Sequence, residues 1–195
     1  MPRSTSFTPD QLAERALMTF WELGYNATSM DVLVRATGVS RHGIYTTFGD
    51  KHGLFQACFP KYQELVVTPA FAVMEAPDAN LGSIATYFDT QISAAEKVGL
   101  PGPGCFVANS ATEVAPHDTE TQVQVAAHNA RLHAGFMNVL SNVTRNRQRP
   151  REREVLARMC VIFTNGLWST SRVTSEGADL RQAVDLFLTL LKSKL

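Results

Sequence analysis

The side chains best suited to chemistry fall in one short stretch, Ser40-Arg41-His42-Gly43-Ile44-Tyr45-Thr46-Thr47-Phe48, with Lys51 just beyond it and Thr28-Ser29 shortly before. The chemistry they suit is recognition by hydrogen bonding. Arg41 and His42 are suited to the edges of bases. Gly43 leaves a gap for close backbone approach, and Thr46 supports the reading pair. Thr28, Ser29, Tyr45, Thr47 and Lys51 carry groups suited to phosphate oxygens, which position a protein on a duplex without reading its sequence.

Such side chains need a frame, and the flanking residues supply one. Met30, Leu33 and Val34 fall on one helical face, and Ile44, Tyr45 and Phe48 recur at the same spacing in a second segment. Ser29 and Ser40 are positioned to cap the two helices, each hydroxyl accepting an otherwise unpaired backbone amide. Gly38 stands between them, where a sharp reversal needs a positive φ. Two short helices joined by a tight turn containing glycine describe a helix-turn-helix, with Arg41 and His42 in the first turn of the helix that enters a major groove. Periodicity alone equally fits a plain helical hairpin with a mixed polar surface.

A resemblance separates these two readings. Gly24-Tyr25-x-x-Thr28-Ser29-Met30, Leu33-Val34-x-x-x-Gly38-Val39-Ser40 and Ile44-Tyr45-x-x-Phe48-x-x-Lys51-x-x-Leu54 together resemble the amino-terminal domain of TetR/AcrR-family transcriptional regulators, over Thr8 to Phe59. Val34 departs from the family's usual small residue at the crossing of the two helices. Many members carry histidine or another ring at one of the two positions held here by Thr46 and Thr47. The resemblance implies a sequence-specific DNA-binding regulator, most often a repressor released from a palindromic operator by a small molecule. It also implies a homodimer formed by the last two helices of each chain.

Composition sets limits on this reading. The chain has 195 residues, 45% of them hydrophobic and 18% charged, in the range of a soluble globular protein with one or two compact units. Formal net charge is zero. The amino-terminal segment is balanced too, with Arg3, Arg15, Arg35, Arg41 and Lys51 against Asp10, Glu14, Glu22, Asp31 and Asp50. DNA binding must therefore rest on local arrangement rather than on a cationic field, which implies modest nonspecific affinity and a shallow salt dependence. Cys58, Cys105 and Cys160 are too scattered for a disulfide framework. No signal-peptide pattern and no apolar run near the ~20 residues of a membrane span is present, so a cytoplasmic protein without membrane contact is expected.

Taken in order, the chain predicts an all-α fold of about nine helices. A DNA-binding domain over residues 8–68 is followed by a helical ligand-binding and dimerisation domain over 69–195. Met1 to Phe7 reads as a loose arm, with Arg3 within reach of a minor groove. Thr8 caps helix one, Pro9 opens it, Leu12, Ala16, Leu17, Phe20 and Leu23 form its buried stripe, and Gly24 ends it. Asp50 caps a fourth helix with a stripe of Leu54, Phe55, Cys58, Phe59, Tyr62, Leu65 and Val66, in which Pro60 should force a kink or a brief break. Leu81, Ile84, Tyr87, Phe88, Ile92 and Ala95 form the next stripe. The Gly/Pro run from Gly99 to Gly104 excludes regular structure, and a short apolar helix from Cys105 to Val114 follows it. A long helix runs from Asp118 to about Arg145, with Val123, Ala127, Ala130, Phe136, Val139, Leu140 and Val143 inward. The alternating Arg145, Arg147, Arg149, Arg151 and Arg153 read as a solvated connection, with Glu152 and Glu154 as partners. Two apolar helices close the chain, over residues 152–174 and from Leu180 to Leu191. Trp168, Phe187 and Leu191 are candidates for a face that meets a second copy.

For a TetR-like protein the middle helices enclose the effector. Candidate lining residues are Met74, Tyr87, Phe88, Cys105, Phe106, Asn109, Glu113, His133, Met137, Phe163 and Trp168. Aromatic rings mixed with a few polar groups suit a small, partly apolar molecule. Plain core packing is the simpler explanation for each of them. Cys105, at the start of a helix, is also a candidate electrophile or oxidant sensor, as reactive cysteines are in some members of the resembled family. Glu113, His117 and Asp118 cluster without a nucleophile at a matching spacing, so no catalytic residue is assigned. His128 and His133 fit one helix face poorly, so neither a metal nor a cofactor is expected. A helical dimer that acts without binding DNA remains the rival reading.

Overall fold

The computed structural model describes residues 7–144 and 150–195, and its regular elements there are all helical. In chain order these are α1 Pro9–Leu23, α2 Met30–Thr37, α3 Arg41–Phe48, α4 Lys51–Tyr62, a π turn Gln63–Val67 and α5 Thr68–Glu75. Then come α6 Leu81–Val98, α7 Phe106–Glu113, a 3-10 turn Ala115–His117, α8 Thr119–Thr144, α9 Pro150–Thr170 and α10 Gly177–Lys192. Arg3, Arg145, Arg147 and Arg149 lie outside the described residues.

The chain forms two compact units. The first joins the residues up to Val66 with Phe106–Val125, and the second joins Val67–Cys105 with Ala126–Leu195. The first unit is therefore discontinuous in sequence, since α7 and the opening turns of α8 pack with α1 to α4.

Capping defines the first unit's helices. Thr8 Oγ1 accepts the Gln11 amide while Gln11 Oε1 accepts the Thr8 amide, a reciprocal box that opens α1. Ser29, Ser40 and Asp50 accept the amides of Val32, Gly43 and Gly53 at the starts of α2, α3 and α4. The core is aromatic. Phe20 meets Phe55 at 5.3 Å between ring centroids, and Phe106 of α7 packs on Phe55, Phe59 and Tyr62 at 5.5, 4.9 and 5.6 Å. Lys61 Nζ lies 2.6 Å from both Asp10 and Glu64, which ties α4 to α1.

Pro60 does not break its helix as expected. α4 runs through it, and the irregularity comes at the π turn just after. A π turn adds a residue to the local repeat and so shifts the buried face. The inward positions after Tyr62 are accordingly Val67, Phe71 and Met74, while Leu65 is exposed and Val66 only half-buried.

In the second unit, polar side chains of α8 hold the end of α5. The Arg131 guanidinium grips the Glu75 carboxylate at 2.7 and 3.0 Å and reaches Thr68 Oγ1 at 2.9 Å. Asn138 donates to the carbonyls of Met74 and Ala76, and Asn142 to those of Pro77 and Ala79. Of these carbonyls, that of Met74 lies in the last turn of α5, where a helix leaves acceptors without an internal partner, and those of Pro77 and Ala79 belong to the loop that leads to α6. Arg181 of α10 binds Asp89, Ser93 and Glu96 of α6. Phe163 of α9 and Phe187 of α10 stack at 3.9 Å, with Phe88 of α6 edge-on to both.

Two sets of expected positions change here. Val123, Ala127 and Ala130 face solvent, and the inward residues of α8 are Thr121, His128, Leu132, Phe136, Val139 and Leu140. Trp168, Phe187 and Leu191 are buried within the unit. The exposed apolar residues of the last two helices are instead Val155, Met159 and Ile162 on α9 and Leu186 and Leu190 on α10.

Candidate nucleic-acid interface

The turn between α2 and α3 is built at Gly38, whose φ of 72° and ψ of 11° lie in the left-handed region. Its amide donates to the Val34 carbonyl at 3.0 Å and closes α2. Beside it, Thr37 Oγ1 donates to the Leu33 carbonyl and accepts the Val39 amide. Arg15 of α1 donates to the Thr37 carbonyl at 2.8 Å. Leu33, Val39 and Ile44 are buried beneath the pair. Ile44 thus anchors α3 inward, and Arg41, His42, Tyr45 and Thr46 stand exposed along its other side.

The nine expected contact residues divide sharply. Arg41 and His42 share the first turn of α3, and Arg41 NH2 lies 2.8 Å from Asp31 Oδ1, with both side chains well exposed. Ser29 and Ser40 use a lone pair on their cap bonds, which leaves each hydroxyl proton free to donate. Ser40 is therefore equipped as Ser29 is, although the sequence marks it only as a cap. Thr46 and Thr47 donate to the carbonyls of His42 and Gly43 at 2.8 Å each, so each must rotate before it can donate to a phosphate.

Thr28, Gly43 and Lys51 have inward duties. Thr28 is fully buried, and its hydroxyl donates to the Gly24 carbonyl at 2.6 Å. A Cβ on Gly43 would meet Val39 Cγ1 at 2.9 Å, so its bare face serves the packing of the turn. Lys51 Nζ donates to the carbonyls of Tyr25 and Thr28 at 3.0 and 3.1 Å and sits 4.1 Å above the Tyr25 ring. Burial lowers the pKa of this ammonium, partly offset by the charge of Glu113.

The expected effector residues also divide between the two units. Phe106, Asn109 and Glu113 belong to the first. Phe106 is part of its aromatic core, and both Glu113 carboxylate oxygens accept backbone amides, from Asn26 at 2.7 Å and Tyr25 at 3.0 Å. Met74, Tyr87, Phe88, Cys105, His133, Met137, Phe163 and Trp168 belong to the second. There Tyr87 packs at a tilt against Phe88 and shares a hydrogen bond with Trp168, and burial raises its phenol pKa. Cys105 lies close enough to Tyr87 to affect it electrostatically, and the thiol is buried. His133 Nε2 is 3.2 Å from Glu154 Oε1, and His133 and Met137 are half-buried. Among the described residues no group of three histidine, cysteine or acidic side chains could hold a metal ion. No helix there is long and apolar enough to cross a membrane.

Comparison with known proteins agrees with this geometry. Residues 12–58 match the family described as bacterial regulatory proteins, tetR family. The chain is 27% identical over 194 residues to the uncharacterized HTH-type transcriptional regulator YezE of Bacillus subtilis, covering 98% of this chain and 100% of that one. It is 31% identical over 115 residues to the HTH-type transcriptional repressor ComR of Escherichia coli, covering 58% of this chain and 54% of that one. Among solved structures, the TetR-family regulator CifR, as a cysteine mutant with a 26bp operator duplex, superposes with a TM-score of 0.79 at 22% identity, covering 97% and 98% of the two chains. A TetR-family regulator from Cytophaga hutchinsonii superposes with a TM-score of 0.81 at 16% identity, covering 95% and 93%. The capped helix pair around Gly38 lies inside the matched segment, and the amino-terminal domain of this chain belongs to the TetR family of bacterial transcriptional regulators.

Proposed function

We propose that this protein is a cytoplasmic homodimeric repressor that binds a palindromic operator through α3 and leaves it when a small molecule binds the second unit. The observation that carries the reading is the outward face of α3, where Arg41, His42, Tyr45 and Thr46 stand exposed above a buried Ile44. Arg41 and His42 read base edges. Ser29, Ser40 and Tyr45 hold phosphates, joined by Thr46 and Thr47 once their hydroxyls turn outward. Operator DNA in the CifR complex is consistent with this use of the fold.

Dimerisation uses the apolar face of α9 and α10 left uncovered in one chain, namely Val155, Met159, Ile162, Leu186 and Leu190. The effector is small and partly apolar, in keeping with the aromatic group of Tyr87, Phe88, Phe163 and Trp168. Effector binding favours a dimer geometry whose α3 helices no longer match the groove spacing. The buried thiol of Cys105 favours displacement by a bound molecule over direct thiol chemistry.

Selection of bound sequences from random duplex DNA by the purified protein, at near-physiological salt, tests the reading. A recovered palindrome supports it and supplies the half-site spacing. Absence of enrichment favours a helical dimer that acts without DNA.

A further inference from the structure

We propose that Glu113 is a positioning residue for DNA recognition, reaching from α7 to fix the turn that sets the start of α2. The inference rests on the DNA-binding reading above. α1 ends at Gly24, whose φ is 85°, and a Cβ there would stand 2.8 Å from Glu113 Oε2. The carboxylate therefore packs directly on the bare Gly24 backbone and takes the next two amides, Tyr25 and Asn26. Lys51, the first residue of α4, takes the carbonyls of Tyr25 and Thr28 from the other pole. Thr28 in turn closes on the Gly24 carbonyl. An anion on the amides and a cation on the carbonyls leave this turn little freedom, because hydrogen bonds to charged groups are the stronger kind.

The next residue after the clamped stretch is Ser29, the cap of α2. The direction in which α2 starts is thus set by the turn, and α3 packs on α2 through the Gly38 reversal. α7 is itself well anchored. Phe106 and Glu113 are two turns apart on one helical face, the first in the aromatic core of the unit and the second on the turn. A parallel tie joins α4 to the start of α8, where Gln56 Nε2 donates to Thr121 Oγ1 at 2.8 Å and His52 Nε2 lies 3.5 Å from Asp118.

The test uses the full chain, the operator recovered by selection, and the variants Glu113→Ala and Glu113→Gln. Removing a negative charge by itself strengthens binding to any duplex. A positioning role gives the opposite sign on the operator alone, with a roughly tenfold loss for Glu113→Ala and random duplex unchanged or slightly tighter. Glu113→Gln keeps one acceptor oxygen and falls between. Hydrogen exchange at the Tyr25 and Asn26 amides should quicken in both variants. Unchanged or tighter operator binding by Glu113→Ala, or unchanged exchange at those amides, overturns the proposal. Parallel losses on operator and random duplex, tracking a lowered melting temperature, overturn it in favour of a merely structural role. A wild-type protein that selects no sequence removes the DNA-binding reading itself, and the positioning role with it.

Discussion

At the residue scale, charge alone does not tell which side chains meet DNA. Arg41 opens α3 and Lys51 opens α4, and both are cations, yet their surroundings differ. The Arg41 guanidinium is half exposed and pairs, among the described residues, with an exposed carboxylate, Asp31. Exposed pairs of this kind contribute at most about 1 kcal/mol, so a base edge displaces Asp31 readily. Arg41→Ala should cost ~1–3 kcal/mol on the operator and relax specificity at one base pair. Competition binding against operator variants measures both, and equal losses on operator and random duplex would contradict the assigned role. Lys51, by contrast, has its ammonium committed to two carbonyls and a ring. Lys51→Met should lower the unfolding free energy by ~1–3 kcal/mol in urea titration, since it leaves those carbonyls without their charged donor. The sequence could not separate these two residues, because the carbonyls that occupy Lys51 lie 23 and 26 residues away along the chain.

At the element scale, what was legible depended on whether the cause was local. Thr8, Ser29, Ser40 and Asp50 cap helices as their types and spacing imply, and Gly24 and Gly38 end them with positive φ. Each of these motifs is complete within a few residues. The π turn after Pro60 was not legible, and it moved the inward register from Leu65 to Val67. The return of α7 to the first unit was equally hidden, since it depends on Phe106 meeting rings far away in sequence. In α8 an apolar residue such as Val123 faces out, while the polar His128 faces in. His128 carries a consequence for pH. Burial, helped by the nearby Arg131 charge, lowers its pKa from 6.5 to about 4. The unfolded chain therefore takes up a proton below pH 6.5 that the folded chain refuses until about pH 4. The stability this residue contributes is complete above pH 6.5 and is lost as pH falls toward 4, at roughly 1.4 kcal/mol per pH unit. Comparing urea unfolding of wild type and His128→Leu at several pH values isolates the effect. The variant's stability should fall less steeply across that interval, and parallel curves would refute the assignment.

At the scale of the whole molecule, zero net charge makes a second copy necessary for the proposed function. Nonspecific attraction to a duplex comes from cations facing phosphates. In this chain, Lys51 is committed inward and Arg41 lies beside Asp31. A single α3 offers few contacts and little background attraction, so useful affinity has to come from two copies engaging two half-sites together. The uncovered apolar residues of α9 and α10 have the spacing such a contact needs. Val155, Met159 and Ile162 recur at steps of four and three along one helical face, and Leu186 and Leu190 are one turn apart on the next helix. Placing one carboxylate in each stripe, as Ile162→Asp with Leu186→Asp, should leave the monomer folded, because both side chains face solvent there. Sedimentation should then report a monomer, while helix content by circular dichroism stays at the wild-type level. Operator affinity should fall by two orders of magnitude or more, on the order of the avidity that linking two sites provides. A half-site should be bound as weakly by the variant as by a wild-type monomer, since α3 itself is untouched. A variant that still sediments as a dimer would place the contact on another surface and detach these residues from the mechanism.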